Sequence, residues 1–491
     1  MSRATTREPP LTPFPPFSTR LSSRVEMTHV EQLASFVDRA SYEGLSAEAR
    51  DQLKIRILDS LGCAIGALDG EPIRFLRAQL DDFGGATHCT LIGGGRTAPD
   101  RAALMNGALV RYLDFNDSYL APDETCHPSD NLGAVLAATE YAKRSGQDLL
   151  LALAVAYQVQ CRLSDVAPVR DRGFDHTTQG AYAVAAGVAK ALGLNRMPTA
   201  HGIAMSGTAL NALRVTRTGR LSHWKGLAYP NTAFAATHAV FLAMRGVTGP
   251  LEVFEGNKGF MDTIAGRFAI DWEAERLDRV MRTIVKKYNA EIHSQSALEG
   301  ILELREGGLA AHDVERLQID TFDVAFHIIG GGEEGDKTMV ETKEEADHSL
   351  PYMVAVALLD GQVLPAQYAR ERIARDDVQA LLRRVVVRPA SDLSARFPDE
   401  MPCRLRVELR DGRVLAREKR DYEGFHTRPV SWEGALRKFE LLAAPQLPGS
   451  LRQELCEAVA RLDQIEVTDL TALLEGAGRM ASMGESNRSG G

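Results

Sequence analysis

From about Val30 to Val280 the chain repeatedly produces stretches rich in alanine and glycine and nearly free of charge on more than one face. Arg101–Leu113, Leu132–Arg144, Leu149–Leu163, Ala181–Leu192 and Thr232–Arg245 are of this kind. A helix with one polar face can lie at a surface, whereas one with almost no polar face must be surrounded by others. Its small side chains also let neighbours approach closely. Several stretches run into "SG", "LGL" or "RGVTG", the glycine stops expected just past helix C-termini. "SAEARDQLKIRILDSLGCAIGAL" opens on Ser46 as a cap and spaces Leu53, Ile57, Leu61 and Ile65 four apart. The pattern predicts a compact all-helical domain over residues 27–280.

Near Arg282 the character changes. "RLQIDTF", "LLRRVVVRPA" and "CRLRVELRDGRVLARE" alternate polar with apolar or β-branched residues, and the last contains an Asp411-Gly412 hairpin turn. Helical stretches at Ser296–Arg305 and Met353–Leu359 lie between them, so 281–425 reads as an α+β insert. Helical pattern returns in "SWEGALRKFELLAA" and "LRQELCEAVARLDQ", predicting that residues 426–478 rejoin the first domain. The expected fold is therefore mainly α: an all-helical domain formed by the N- and C-terminal parts plus an inserted α+β lid domain. Residues 1–26 hold five prolines and four arginines and read as a disordered extension, or as a start placed ahead of Met27, rather than a transit peptide. Residues 479–491 read as a disordered tail.

With 491 residues, two domains are the natural expectation. A net charge of −9 argues against nucleic acid, although a few local cations can still hold a small anion. No apolar run approaches the ~20 residues that span a bilayer, so no membrane association is expected. The six cysteines form no C-x-x-C pair, which fits reduced thiols in a cytoplasm and offers no zinc or iron–sulfur framework. The glycine clusters at Gly93 and Gly330 lack the G-K-[ST] of a phosphate loop and read as turns.

One segment resists this bland reading. "DFNDSYLAPDETCHPSDN", Asp114 to Asn131, sets five carboxylates and a histidine directly before an apolar helix. A metal site is one reading, but the calcium-loop pattern does not fit and no H-E-x-x-H occurs. Helix capping is another, with Pro128 in the first turn and Ser129 and Asp130 satisfying free N–H groups. Capping requires neither His127 nor the upstream carboxylates. A helix start, an imidazole and carboxylates together suit proton transfer on a polycarboxylate.

"RYLDFNDSY…CHPSDNLGAVLAATEY" resembles the signature of the MmgE/PrpD family, which includes cluster-free 2-methylcitrate dehydratases. Further matches are "FDHTTQGAYAVAAGVAKALGL", "LSHWKGLAYPNTAFAATHAVFLA", "VKKYNAEIHSQSALEG" and "KEEADHSLPYMVAVALLDG", covering about Met27 to Glu475. The resemblance implies a homodimer and a cofactor-independent lyase acting on a small di- or tricarboxylate between the domains. It implies catalytic roles for Asp114, His127 and Lys225, and for Lys286 or Lys287 at the start of the lid. Lys287 is assigned to catalysis, and Ser118, His176, Lys286 and Tyr288 to substrate binding. "HPSDN" and Glu291 depart from the decarboxylases of the family and favour the dehydratase branch.

Removing water from a hydroxy-tricarboxylate needs a base for the proton beside a carboxylate, an acid for the hydroxyl, and positive charge. The expectation is that His127 and Asp114 form the proton-transfer unit, or that Asp114 only orients an imidazole. His176 and the lysines then grip carboxylates. His293 and His348 are expected as helix-cap or interface residues, and Cys126 as inert. Competing expectations are epimerisation, isomerisation or decarboxylation of a related acid, a non-catalytic anion-binding helical dimer, and a metal-dependent hydrolase.

Overall fold

The computed structural model describes residues 27–477 apart from Arg220 and Glu334; the expected extension and tail lie outside the described residues. The charge-poor stretches are helices: α1 His29–Arg39, α2 Ala47–Gly66, α3 Glu71–Phe83, α4 Pro99–Tyr112, α5 Leu132–Tyr141, α6 Gly146–Val166, α7 Thr177–Leu192, α8 Arg196–Ala209 and α9 Trp224–Met244. They share one apolar core that runs from Val30 to Val280. Ser46 caps α2 by accepting the Ala49 N–H at 3.1 Å. Crossing distances explain the small residues. A Cβ on Gly133 of α5 would lie 2.4 Å from the Gly107 nitrogen of α4, so no other residue lets this pair meet.

Two sequence expectations need correction here. α9 begins at Trp224 rather than Thr232 and runs through Pro230. Proline normally breaks a helix interior, but Pro230 packs against Gly107 of α4, and that packing carries the helix across it. Lys225 thereby lies in the first turn of a long buried helix. α6 is the second correction: at 21 residues it is long and apolar enough to cross a membrane, yet 83% of its apolar window is buried among its neighbours.

Beyond Arg282 a second core takes over, from Ala290 to Leu409. Strands β1 Cys89–Thr90, β2 Arg96–Thr97, β3 Tyr119–Ala121 and β4 Glu124–Cys126 form two small hairpins in the first part. β5 Val314–Thr321, β6 Val385–Pro389, β7 Cys403–Leu409 and β8 Val414–Lys419 form one sheet in the order β6-β5-β7-β8. β6 runs parallel to β5; the other pairs are antiparallel, and Glu408 faces Val414 across the Asp411-Gly412 turn. Cys403, Leu405, Val407 and Leu409 alternate inward, against α10 Gln295–Glu306, and α11 Leu350–Asp360 packs on α10 and β6. α12 Trp432–Ala443, α13 Gly449–Ala460 and α14 Val467–Gly476 then return to the first core.

The chain crosses between the two cores side by side. The Val285 N–H donates to the Gly424 carbonyl at 2.9 Å, and the Tyr422 hydroxyl to the Val285 carbonyl at 3.1 Å. Gly424 has φ +121°, and a Cβ there would sit 2.2 Å from the Val285 oxygen. Lys438 of α12 ties the crossing down, donating to the carbonyls of Phe115 and Lys286 while pairing with Asp59.

Candidate active site

The loop after α4 is folded by its own polar groups. Asn116 Nδ2 donates to Ser129 Oγ and Asp130 Oδ1, both at 2.8 Å. Asp117 accepts from the Ser129 N–H and the Tyr157 hydroxyl. The expected capping by Ser129 and Asp130 is therefore reversed: the Asp117 carboxylate serves the turn, and their side chains are held by Asn116. Burial pushes the Asp130 carboxyl up to about 7, although Arg111 lies 3.6 Å away.

His127 Nδ1 lies 2.9 Å from the Asp117 carbonyl and 3.0 Å from Ser118 Oγ. A carbonyl only accepts, so Nδ1 carries the proton and Nε2 keeps the lone pair. Burial, with Arg111 and Lys286 nearby, holds this imidazole well below its ordinary pKa. His127 is thus a neutral base. Ser118 is fully buried and steadies that ring.

His176 has the opposite tautomeric cause and the same outcome. Arg217 Nη2 faces its Nε2 at 3.2 Å, and a guanidinium only donates, so the hydrogen sits on Nδ1. That buried Nδ1 has no partner among the described residues. Burial, partly opposed by Asp175, takes the imidazole down to about 3. His176 is a neutral donor awaiting an acceptor.

Asp114 takes a left-handed backbone, φ 53°, unusual for a residue with a side chain. Burial opposes its charge, but Arg111, Lys286 at 2.9 Å and Lys225 at 3.4 Å hold it well below the usual carboxylate range. No hydrogen bond joins it to His127, and the imidazole nitrogen that comes within 4.0 Å of it is His348 Nε2. Lys225 Nζ also meets Asp347 and His348 Nδ1, each at 2.8 Å. Asp114, Asp347 and His348 form a set that could hold a metal ion. The cation these three groups surround is the Lys225 ammonium, so the donor set is already charge-compensated.

Lys286 and Lys287 separate cleanly. Successive side chains of an extended segment point opposite ways, and Lys286 turns into the cleft while Lys287 pairs with Glu299 and Glu423 outside it. Tyr288 lies beside Lys287 and also outside. Of the three, Lys286 is the one whose side chain lines the cleft.

A half-open cleft with a cavity volume of about 60 Å³ lies between the two cores. Arg111, Arg170, Arg214, Arg217 and Lys286 line it with four imidazoles, those of His127, His176, His293 and His348. His293 and His348 do precede helices, as expected, but they face the cleft. The arginines, Asp347 and Glu291 carried no local motif. Only the short polar runs "EIHS" and "ADHS" ahead of apolar helices hinted at the latter pair.

Comparison with known proteins agrees with this architecture. Residues 31–273 match the MmgE/PrpD N-terminal domain and residues 288–464 the MmgE/PrpD C-terminal domain. The 2-methylcitrate dehydratase of Salmonella typhimurium is 27% identical over 471 residues, covering 87% of this chain and 94% of that protein. That of Escherichia coli (strain K12) is 28% identical over 87% and 94%. The cis-aconitate decarboxylase of Mus musculus is 26% identical over 86% and 88%. With both domains matched across a shared cleft, the chain is an enzyme of the MmgE/PrpD family.

Proposed function

We propose that this enzyme dehydrates 2-methylcitrate, or a close tricarboxylate, to the corresponding cis-aconitate by side-chain acid–base catalysis without a cofactor. The observation that carries the reading is a neutral His127, its lone pair on Nε2, in a cleft lined by five cations. Carboxylates of the substrate bind the arginines and the Nδ1–H of His176. His127 Nε2 takes the proton from the carbon beside one carboxylate. The charge that develops there is stabilised by Lys286 and Lys225, preorganised cations in a buried site. Most 2-methylcitrate dehydratase relatives align over 85% or more of this chain, which supports the substrate class.

Incubation with 2-methylcitrate and a chelator should yield an ultraviolet-absorbing unsaturated tricarboxylate; no turnover by folded protein would sink the reading. A panel of tricarboxylates read by product separates dehydration from decarboxylation of cis-aconitate, the activity named for the mouse relative, and from epimerisation. As further parts of the same proposal, the enzyme acts as a homodimer in the cytoplasm.

A further inference from the structure

The dehydration proposed above leaves one proton to find, because the hydroxyl must depart with a hydrogen and the neutral His127 has none to give at Nε2. The second core supplies a candidate in the turn before α10. His293 Nδ1 lies 2.7 Å from Glu291 Oε1, and the His293 N–H donates to Oε2 of the same carboxylate at 2.7 Å. Phe322 and Phe397 flank the ring, at 5.6 and 5.8 Å between centroids. Its Nε2 is buried, has no hydrogen-bond partner among the described residues, and belongs to a side chain that lines the cleft. A buried polar atom left this way calls for an explanation.

Burial opposes the charge on Glu291, but His293 outweighs it and brings the carboxyl down to about 2, so the carboxylate stays ionised. That carboxylate holds Nδ1–H and leaves Nε2 on the cleft side, where an Nε2–H has nothing to meet until a ligand arrives. His348 is the less suitable acid. Its Nδ1 is engaged by Lys225 and Asp347, and its Nε2 faces the Asp114 carboxylate.

We propose that His293 is the catalytic acid that protonates the departing hydroxyl and that Glu291 is its positioning residue, an assignment that rests on the dehydration reading. His127 Nε2 takes the α-proton, and the C–H pair becomes the second bond of the new alkene. The C–O bond breaks with its electrons on oxygen, and the Nε2–H of His293 passes to that oxygen to release water. His293 is left neutral beside Glu291 and His127 is left charged; exchange with solvent resets both.

The test compares two leaving groups in the full chain. His293→Asn should slow water release from 2-methylcitrate by about 100-fold or more. Fluoride release from the analogue bearing fluorine in place of the hydroxyl, which departs without needing a proton, should stay within about fivefold. Glu291→Gln should show the same selective loss, smaller in size, and carries the test if His293→Asn does not fold. Equal losses on both substrates, or near-normal water release, overturn the assignment while leaving the dehydratase reading intact. An unaltered chain that releases water from no tricarboxylate overturns both.

Discussion

The two walls of the cleft treat histidine differently. On the wall built by the first core, a backbone carbonyl fixes His127, and the Arg217 guanidinium faces His176 Nε2 at 3.2 Å with the Asp175 carboxylate farther off, at 3.7 Å. On the wall built beyond Arg282, His293 leans on Glu291 and His348 on Asp347, at 2.7 and 2.6 Å. A carbonyl orients an imidazole without favouring its charge, whereas a carboxylate favours the proton. One fold thus presents one neutral proton acceptor, His127, on one side and carboxylate-backed imidazoles on the other. Under the proposed dehydration, that difference would let a single ring type do both halves of the elimination.

The most severe way to break the contrast is to remove the acceptor. His127→Ala should lower kcat by about 10³-fold or more with an unchanged circular dichroism spectrum. Next in size is the charge that serves it. Lys286→Ala should cost about 100-fold in kcat/KM, while Lys287→Ala should stay within about threefold, because that ammonium faces Glu299 and Glu423. Ser118→Asp would make the first wall resemble the second. A carboxylate beside His127 Nδ1 favours the imidazolium, so the acid limb of the rate profile should move to higher pH. His176→Asn should raise KM by about tenfold with a smaller change in kcat, the cost of one hydrogen bond to a charged group.

The smallest effect concerns stability. The Asp130 carboxyl is pushed up to about 7 in the folded protein, above the 3.8 of a free side chain, so folding takes up a proton in that window. Its contribution is complete below the lower value and is lost as pH rises through the upper one. Thermal melts of Asp130→Asn should therefore gain on the unaltered chain between pH 4 and 7 and level off above it. A gain independent of pH would discard this account.

The helices were legible because their apolar faces repeat locally, and the hairpin because Asp411-Gly412 states its own turn. α9 was misjudged at its start because Pro230 is stabilised by Gly107, a partner more than 120 residues away. Motif residues Asp114, His127 and His176 line one cleft, and Lys225 reaches Asp114 at 3.4 Å. Arg217 and Asp347 were not readable as site residues, since their partners Asp175 and Lys225 stand on other elements. Lys286 and Lys287 show the limit most sharply: adjacent and identical in type, they differ only in which way the backbone turns them.

The side-by-side crossing at Val285 and Gly424 ties geometry to chemistry. Lys286 follows that crossing directly, and Lys438 grips its carbonyl, so the anion-attracting ammonium is anchored at the joint between the cores.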